Sequence, residues 1–425
     1  MKPSGIEWIG DIPDDWEVYR LKNEVVFVNG YAFDGSELHQ DKEVPVIRIG
    51  DISSGVIDYS STLKTNVKSG LSEYELRKND ILIAMSGATT GKTAIVKTNE
   101  KAYINQRVGI IRATKCNIFI KYLLETKGFF NYIFLVAGGS AQPNISMHNI
   151  LNFQIPKIRL DTQQKIADYL DEKCGEIDAT IAKQKEIIEK LKAYKQSLIS
   201  ETVTKGLDKS APLKPSGIDY LGDIPSHWEI RKLKYVANFN QNTLPEDTDG
   251  QFEFKYIDIG NVSSVDGIKE IQYFNFSNAP SRARRIVKYG DIIVSTVRTY
   301  LRAITSIKED YDNCICSTGF AVITPKDNFQ QDFVVYAIEN ESFIAQIIAN
   351  SQGISYPAIN VSQLENLKLA FPSVKEQKEI VDFLKTKLLE IDSIINKKQN
   401  IIQKLDTYKK SLIFECVTGK CSILG

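Results

Sequence analysis

Residues 163–184 read QQKIADYLDEKCGEIDATIAKQ, and residues 190–204 close the same stretch with KLKAYKQSLISETVT. Apolar side chains fall at Ile166, Leu170, Cys174, Ile177, Ile181, Ile188, Leu191, Tyr194 and Leu198. Steps of three and four, with one gap at Gln184, predict a helix with a narrow apolar seam. A seam this narrow and this long predicts a coiled coil rather than a helix lying on a broad core. Some forty helical residues would make a rod of about 60 Å. The pattern returns 214 positions later at Ile380, Leu384, Leu388, Ile391, Ile395, Ile402, Leu405, Tyr408 and Leu412.

Other parts of the chain repeat as well. Residues 2–22 (KPSGIEWIGDIPDDWEVYRLK) and 214–234 (KPSGIDYLGDIPSHWEIRKLK) are identical at thirteen of twenty-one positions. Residues 191–206 and 405–420 agree at nine of sixteen. The chain therefore reads as an internal duplication: block, helix, block, helix, with 207–213 as linker. Two copies of this size make a pseudo-dimer within one chain, not a solenoid. A coiled-coil seam needs a partner of like length, and the nearest for Gln163–Thr204 is Gln377–Thr418. An antiparallel pair is expected, with the two blocks at opposite ends of the rod about an approximate two-fold axis; the alternative is that each helix packs on its own block or on a separate subunit.

Short β-like runs occupy each block. The first has Val44–Ile49, Ile81–Ala84, Ala94–Val96 and Val108–Arg112; the second has Phe254–Ile259, Ile292–Thr296, Ala303–Ile307 and Ala321–Ile323. A helical segment follows at about 118–136 and 330–349, then a polar loop before each long helix. The fold class is α+β: two tandem α+β domains separated by long helices. Expected boundaries are 1–156 and 214–372 for the domains, and 157–206 and 373–420 for the helical segments. Gly175 stands in the first helix where the second has Leu389; it costs about 1 kcal/mol relative to Ala and is read as a close backbone contact.

Composition narrows the function. No early apolar run resembles a signal peptide and no stretch could span a bilayer, so a cytoplasmic protein without membrane contact is expected. Six cysteines lack any CxxC spacing and read as free thiols. With 53 basic and 53 acidic residues, the surface as a whole does not attract nucleic acid, which leaves a local patch. The three histidines (His39, His148, His227) sit near no carboxylate pair. Ser86–Thr93 has three residues between its glycines where a phosphate loop needs four. Glu125-Thr126-Lys127 resembles the tail of a nuclease motif without its upstream Pro-Asp. Neither a catalytic residue, a metal site nor a cofactor site is expected on this chain.

The candidates that remain are binding surfaces. Ser281–Arg302 carries Arg282, Arg284, Arg285, Lys288, Arg298 and Arg302 against one Asp291, a local charge near +5, with Tyr300 among them. Arginine suits bidentate contact with guanine edges and with phosphates; the alternative is a solvated loop with structural salt bridges. The matching part of the first block offers Thr89, Thr90, Lys92 and Thr93, then Asn105, Gln106 and Arg107; amides read adenine, and hydroxyls reach bases or phosphates. The polar loops add Ser140, Gln142 and Asn144 in the first copy and Gln352, Ser355 and Tyr356 in the second.

The repeated opening SGIEWIGDIPDDWEV and SGIDYLGDIPSHWEI resembles the start of each half of a type I restriction-modification specificity subunit. So do the helices that open at Gln163 and Gln377 and end YKQSLISETVT and YKKSLIFECVTGK. The resemblance spans the whole chain. It implies two target recognition domains, each reading half of a split double-stranded DNA sequence, and an antiparallel coiled coil that spaces them. It also implies docking of two methyltransferase subunits, with endonuclease subunits completing the restriction enzyme. S-adenosylmethionine, ATP and Mg would belong to those partners. The other reading of the same features is a coiled-coil scaffold whose blocks bind proteins.

Overall fold

The computed structural model describes residues 1–53, 55–138, 143–263, 267–353 and 356–421. The chain groups into two units, Met1–Lys185 with Lys398–Gly425, and Glu186–Lys397. Each unit thus contains one block, part of its neighbouring long helix and part of the other long helix. The division falls within the two long helices.

In the first unit, an antiparallel sheet runs in the order Thr93–Ile95, Ile81–Ala84, Val108–Ala113, Val25–Asn29. Its central strands are apolar on both faces, and Ile81, Leu82, Ile83 and Ala84 are fully buried, as a strand covered on both sides requires. A smaller mixed sheet places Val44–Ile47 between Tyr103–Ile104, which is parallel to it, and Lys64–Thr65. Helices Asn117–Leu124 and Lys127–Val136 pack on one side. The expected single helix over 118–136 is therefore two, because the Thr126 hydroxyl accepts the Phe129 amide (3.3 Å) and starts a new helix.

The second unit repeats this plan. Its first sheet runs Ala237–Phe239, Phe320–Pro325, Ile292–Ser295, Ile304–Ser306. Its second runs Gln272–Asn275, Glu253–Ile257, Ile315–Ser317, Ala283–Ile286. The last strand is an addition: its counterpart in the first unit is a single bridge between Glu75 and Tyr103. Helices Gln331–Ile338 and Glu341–Ala349 are again separated by a cap, Asn340, whose side chain accepts the Ser342 amide.

Two features escaped the sequence pattern. Each block is closed by a strand pair joining its two ends, Glu17–Arg20 with Gln154–Lys157 and Glu229–Lys232 with Lys368–Phe371. The polar loop also does not lead straight into the long helix, since a short helix (Met147–Leu151 or Val361–Glu365) and the closing strand intervene.

The long helices span Leu160–Lys205 and Val374–Val417. In the first unit Asp178 accepts a 2.7 Å ion pair from Lys409, and Tyr169 sits beside Cys416 and Cys421. In the second unit Lys195 pairs with Asp392 at 2.7 Å, and the Glu376 carboxylate approaches Gly206. In both, numbering rises along one helix as it falls along the other, so the helices pair antiparallel. The two ion pairs are one pair in the repeat with the partners exchanged: 178 and 195 plus 214 give 392 and 409.

In the first unit Ile166, Leu170, Cys174, Ile177 and Ile181 share one core with Leu412, Ile413 and Cys416 and with the block residues Phe119, Ile120 and Ile155, so the long helix also lies on its own block and is not a bare coiled-coil seam there. Ile199 and Val203 bury with Ile380, Val381 and Leu384 in the second. Ile188, Leu388, Ile391 and Ile395 are buried; Leu191, Leu198, Ile402 and Leu405 are half-buried. Tyr194 and Tyr408 leave the expected seam: both are 56% exposed.

Three sequence signatures acquire a cause. Gln163 and Gln377 are buried, and each amide donates to a carbonyl just before its helix, Ile158 or Pro372 (3.0 Å each), anchoring the helix start to the closing strand. Gly206 (φ +75°) and Gly419 (φ +77°) are the left-handed residues that end the two helices. The second helix stops sooner, which accounts for Lys205-Gly206 becoming Gly419-Lys420.

Gly175 marks no close contact. A Cβ there meets nothing within 4 Å, so the residue only weakens the helix. Gly175→Ala is expected to add up to about 1 kcal/mol of stability, measured by denaturant titration; destabilisation would contradict the open surroundings.

Candidate nucleic-acid interface

In the first unit the strand Ile81–Ala84 ends in a tight turn, Gly87–Thr89, before Thr93–Ile95. Gly87 (φ +75°) and Gly91 (φ +81°) occupy left-handed backbone at its two ends. Two distant segments hold the turn. The Met85 amide donates to the Arg107 carbonyl, and the Gly87 amide to the Pro143 carbonyl, each at 2.9 Å. The Thr90 hydroxyl lies 2.9 Å from that same Pro143 carbonyl. The Ile145 amide returns a bond to Met85. Residues 86–93, 105–107 and 143–145 thus meet at one corner.

That corner collects the described first-block candidates. Lys92, Gln106, Arg107 and Asn144 are exposed; Thr89, Thr90, Thr93 and Asn105 are half-buried. Asn105 is committed to its own turn, its Oδ1 accepting the Gln106 amide at 2.6 Å. Ser140 and Gln142 lie outside the described residues. A strand, not a helix, follows Gly91-Lys92, so the backbone amides of a helix start are absent and the segment is no phosphate loop.

The second unit builds the same corner from other residues. The Thr296 amide donates to the Gly319 carbonyl (2.8 Å), as Met85 does to Arg107. The Ile359 amide donates to Thr296 (2.9 Å), and the Thr299 amide to Pro357 (3.3 Å). The Thr299 and Ser351 hydroxyls lie 2.8 Å apart. The Thr318 amide donates to Arg282 (2.7 Å), which brings the strand of arginines to the same place. The hairpin Ser317–Gly319, at the centre of this arrangement, was not a sequence candidate. Its small polar residues carry no pattern, and only its place in the repeat, opposite Asn105–Arg107, could have revealed it.

Arg298 (φ +50°) and Arg302 (φ +51°) stand at the turn positions held by Gly87 and Gly91 in the first copy. For a residue with a Cβ this backbone costs about 1–2 kcal/mol. Val297, Arg298, Tyr300 and Leu301 are exposed around the buried Thr299. Tyr356 is exposed, and the Arg298 guanidinium lies over its ring, 5.1 Å from the centroid. Gln352 is exposed on the neighbouring segment, paired through its backbone with Ala358. Ser355 lies outside the described residues.

The local charge is smaller than the sequence count of +5. Arg282 is paired with Asp258 at 2.7 Å and bonded to the Tyr256 hydroxyl; Arg302 is paired with Glu341 at 2.6 Å. Both carboxylates lie outside the Ser281–Arg302 window. Burial works against ionisation of Asp258, but bonds from Arg282, the Gly260 amide and Tyr256 hold its carboxyl below the usual range. Asp291, the acid counted in the window, is buried. It accepts from the Thr324 hydroxyl and the Lys288 amide, and burial pushes its carboxyl up. Arg285 is half-buried with an unpartnered Nε, and burial depresses its guanidinium. Arg284 stacks on Phe276 at 4.6 Å. Arg284 and Arg298 therefore keep stacked guanidinium groups with no ion pair among the described residues.

Three of the residues weighed for catalysis make structural contacts. Glu125 pairs with Lys121, and Thr126 caps a helix. His227 bonds to Glu376 at 2.9 Å. Among the described residues no group of His, Cys, Asp or Glu is placed to hold a metal, and no helix is long and apolar enough to cross a membrane.

Residues 13–193 and 225–404 both match the type I restriction modification DNA specificity domain. The chain belongs to that family. The two matches fall on the two copies of the repeat, and DNA target recognition is the family's role. Among similar proteins, the type I restriction enzyme EcoBI specificity subunit of Escherichia coli is 24% identical over 96% of this chain and 87% of its own length. The MjaVIII specificity subunit of Methanocaldococcus jannaschii is 23% identical over 97% and 94%. Two solved structures share the fold. One is a chain from a study of type I R-M complex assembly (TM-score 0.70, 15% identity, covering 97% of this chain and 100% of that one). The other is the HsdS subunit of Thermoanaerobacter tengcongensis (TM-score 0.53, 16% identity, 97% and 98%). The two corners share one backbone framework and carry different side chains on it.

Proposed function

We propose that the chain is the DNA-specificity subunit of a type I restriction-modification enzyme. Each block reads one half of a bipartite DNA target, and the helix pair sets the number of base pairs between the halves. The helices also dock two methyltransferase subunits, and endonuclease subunits join the full complex. The chain contributes recognition and no catalysis in this reading; S-adenosylmethionine, ATP and Mg act on the partner subunits.

The observation that carries the reading is the doubled corner. A constant framework with variable side chains is what two different half-sites require. Zero net charge is compatible with it, because partner subunits can supply the sequence-independent phosphate contacts that dominate affinity. The test is DNA binding by the purified complex with its modification subunit. At physiological salt, target DNA should bind at least about 10³-fold more tightly than scrambled DNA. Equal affinity for both would favour a protein-binding scaffold.

A further inference from the structure

The two corner turns differ in one respect that the fold alone does not require. Both need left-handed backbone at the same two positions. In the first unit glycine meets this need at Gly87 and Gly91; in the second, arginine stands there at 298 and 302. A turn that served only to connect two strands would be easier to form with glycine. Retaining a strained residue where an unstrained one serves in the sister copy indicates that the side chain itself is used.

We propose that Arg298 is a base-reading residue of the second block and selects a guanine in its half-site. This assignment rests on the DNA-reading role proposed above and names the residue and base that carry part of it. Three observations support it. The Arg298 guanidinium is stacked over Tyr356 at 5.1 Å and makes no ion pair among the described residues, so its donors are left for a ligand. Its backbone is fixed by the Thr299–Ser351 hydroxyl contact at 2.8 Å, by the Thr299 amide on Pro357 and by the bridge between Val297 and Ala358. Arg302, at the other end of the turn, is held by Glu341 at 2.6 Å and acts as a positioning residue.

A phosphate contact needs only a positive charge within reach and no special backbone. A planar fork on a rigid turn, oriented by an aromatic face, instead suits bidentate bonding to guanine O6 and N7. The first block has no side chain at these turn positions, so its half-site is read from Lys92, Gln106, Arg107 and their neighbours.

The experiment compares wild type, Arg298→Gly and Arg298→Lys, each assembled with the modification subunit. Binding is measured against a panel of target duplexes altered one base pair at a time. Arg298→Gly should melt at the wild-type temperature or above it and keep discrimination in the first half-site. It should lose about 5- to 150-fold discrimination at one guanine of the second. Arg298→Lys keeps the charge but not the fork and should lose the same discrimination. Undiminished selectivity in Arg298→Gly would overturn the proposal. So would uniform weakening across all duplexes with a salt slope shallower by about one, the sign of a phosphate contact. A lower melting temperature in Arg298→Gly would overturn it too, since the arginine would then serve the fold. A wild-type complex without sequence preference is a separate outcome, which removes the specificity role itself.

Discussion

Inserting four residues into each long helix, between Lys185 and Glu186 and between Ile401 and Ile402, is expected to abolish modification at the native target. The insertion should create activity at a target whose two halves are unchanged but lie one or two base pairs further apart. The sites follow from the register. Asp178 faces Lys409 and Lys195 faces Asp392, so facing residue numbers sum to 587 in both units. By that sum 185/186 and 401/402 are matching insertion points, and inserting at both leaves the Asp178–Lys409 and Lys195–Asp392 pairs within their own units unchanged. Four helical residues add about 6 Å and about 40° of rotation. One base pair adds about 3.4 Å and about 35°. Rise favours two added base pairs and rotation favours one. The effect on the native spacing should be all but complete, because a half-site displaced by a base pair presents the wrong edges to every reading side chain. Mapping modified bases in cells carrying the insertion variant checks this, and an active variant with unchanged spacing would contradict it.

Trp228→Ala is expected to cost about 3–5 kcal/mol, enough to lower the melting temperature of the second unit by roughly 10 °C. Trp228 is fully buried. Its Nε1 donates to Glu376 at the start of the second long helix (3.0 Å), and its ring meets Phe333 edge-on at 6.3 Å. It also lies against Gly206 at the end of the first long helix, where a Cβ would come within 3.3 Å of the indole. One side chain thus joins both helices of that unit to its block. Truncation leaves a large cavity and removes one partner from Glu376, whose other is the His227 ring. Thermal unfolding followed by circular dichroism measures the effect; a change below about 2 °C would show that the indole is not central to the unit. In the first unit Trp16 plays a similar part against Gly419, which accounts for the repeat of the Trp-bearing opening segment.

Elements that pack through long apolar patterns were legible in the sequence. Both long helices, their antiparallel pairing and the buried strands Ile81–Ala84 and Ile292–Ser295 follow from periodicity and duplication. The closing strands were not legible. Glu17–Arg20 has no buried residue and Gln154–Lys157 buries only its middle two, so neither shows the alternation that marks a half-buried strand. Tyr194 and Tyr408 fit the seam spacing but point to solvent, because spacing cannot tell an edge position from a central one.

The site was legible in part. Sequence named these segments one by one but could not show that 86–93, 105–107 and 143–145 converge, since backbone hydrogen bonds across the fold bring them together. The local charge was overcounted because Asp258 and Glu341 reach the arginines from other parts of the second unit. The left-handed arginines were concealed by the low identity of the block interiors; aligning Gly87 and Gly91 with Arg298 and Arg302 requires the strand register.

The most direct test of the central claim is a map of methylated bases. The chain would be co-expressed with its modification subunit in a host lacking DNA methylation. Methylated adenine is expected within a two-part motif whose halves differ and whose spacer has one fixed length. A stable complex that leaves the genome unmethylated, or methylates it without such a motif, would contradict it.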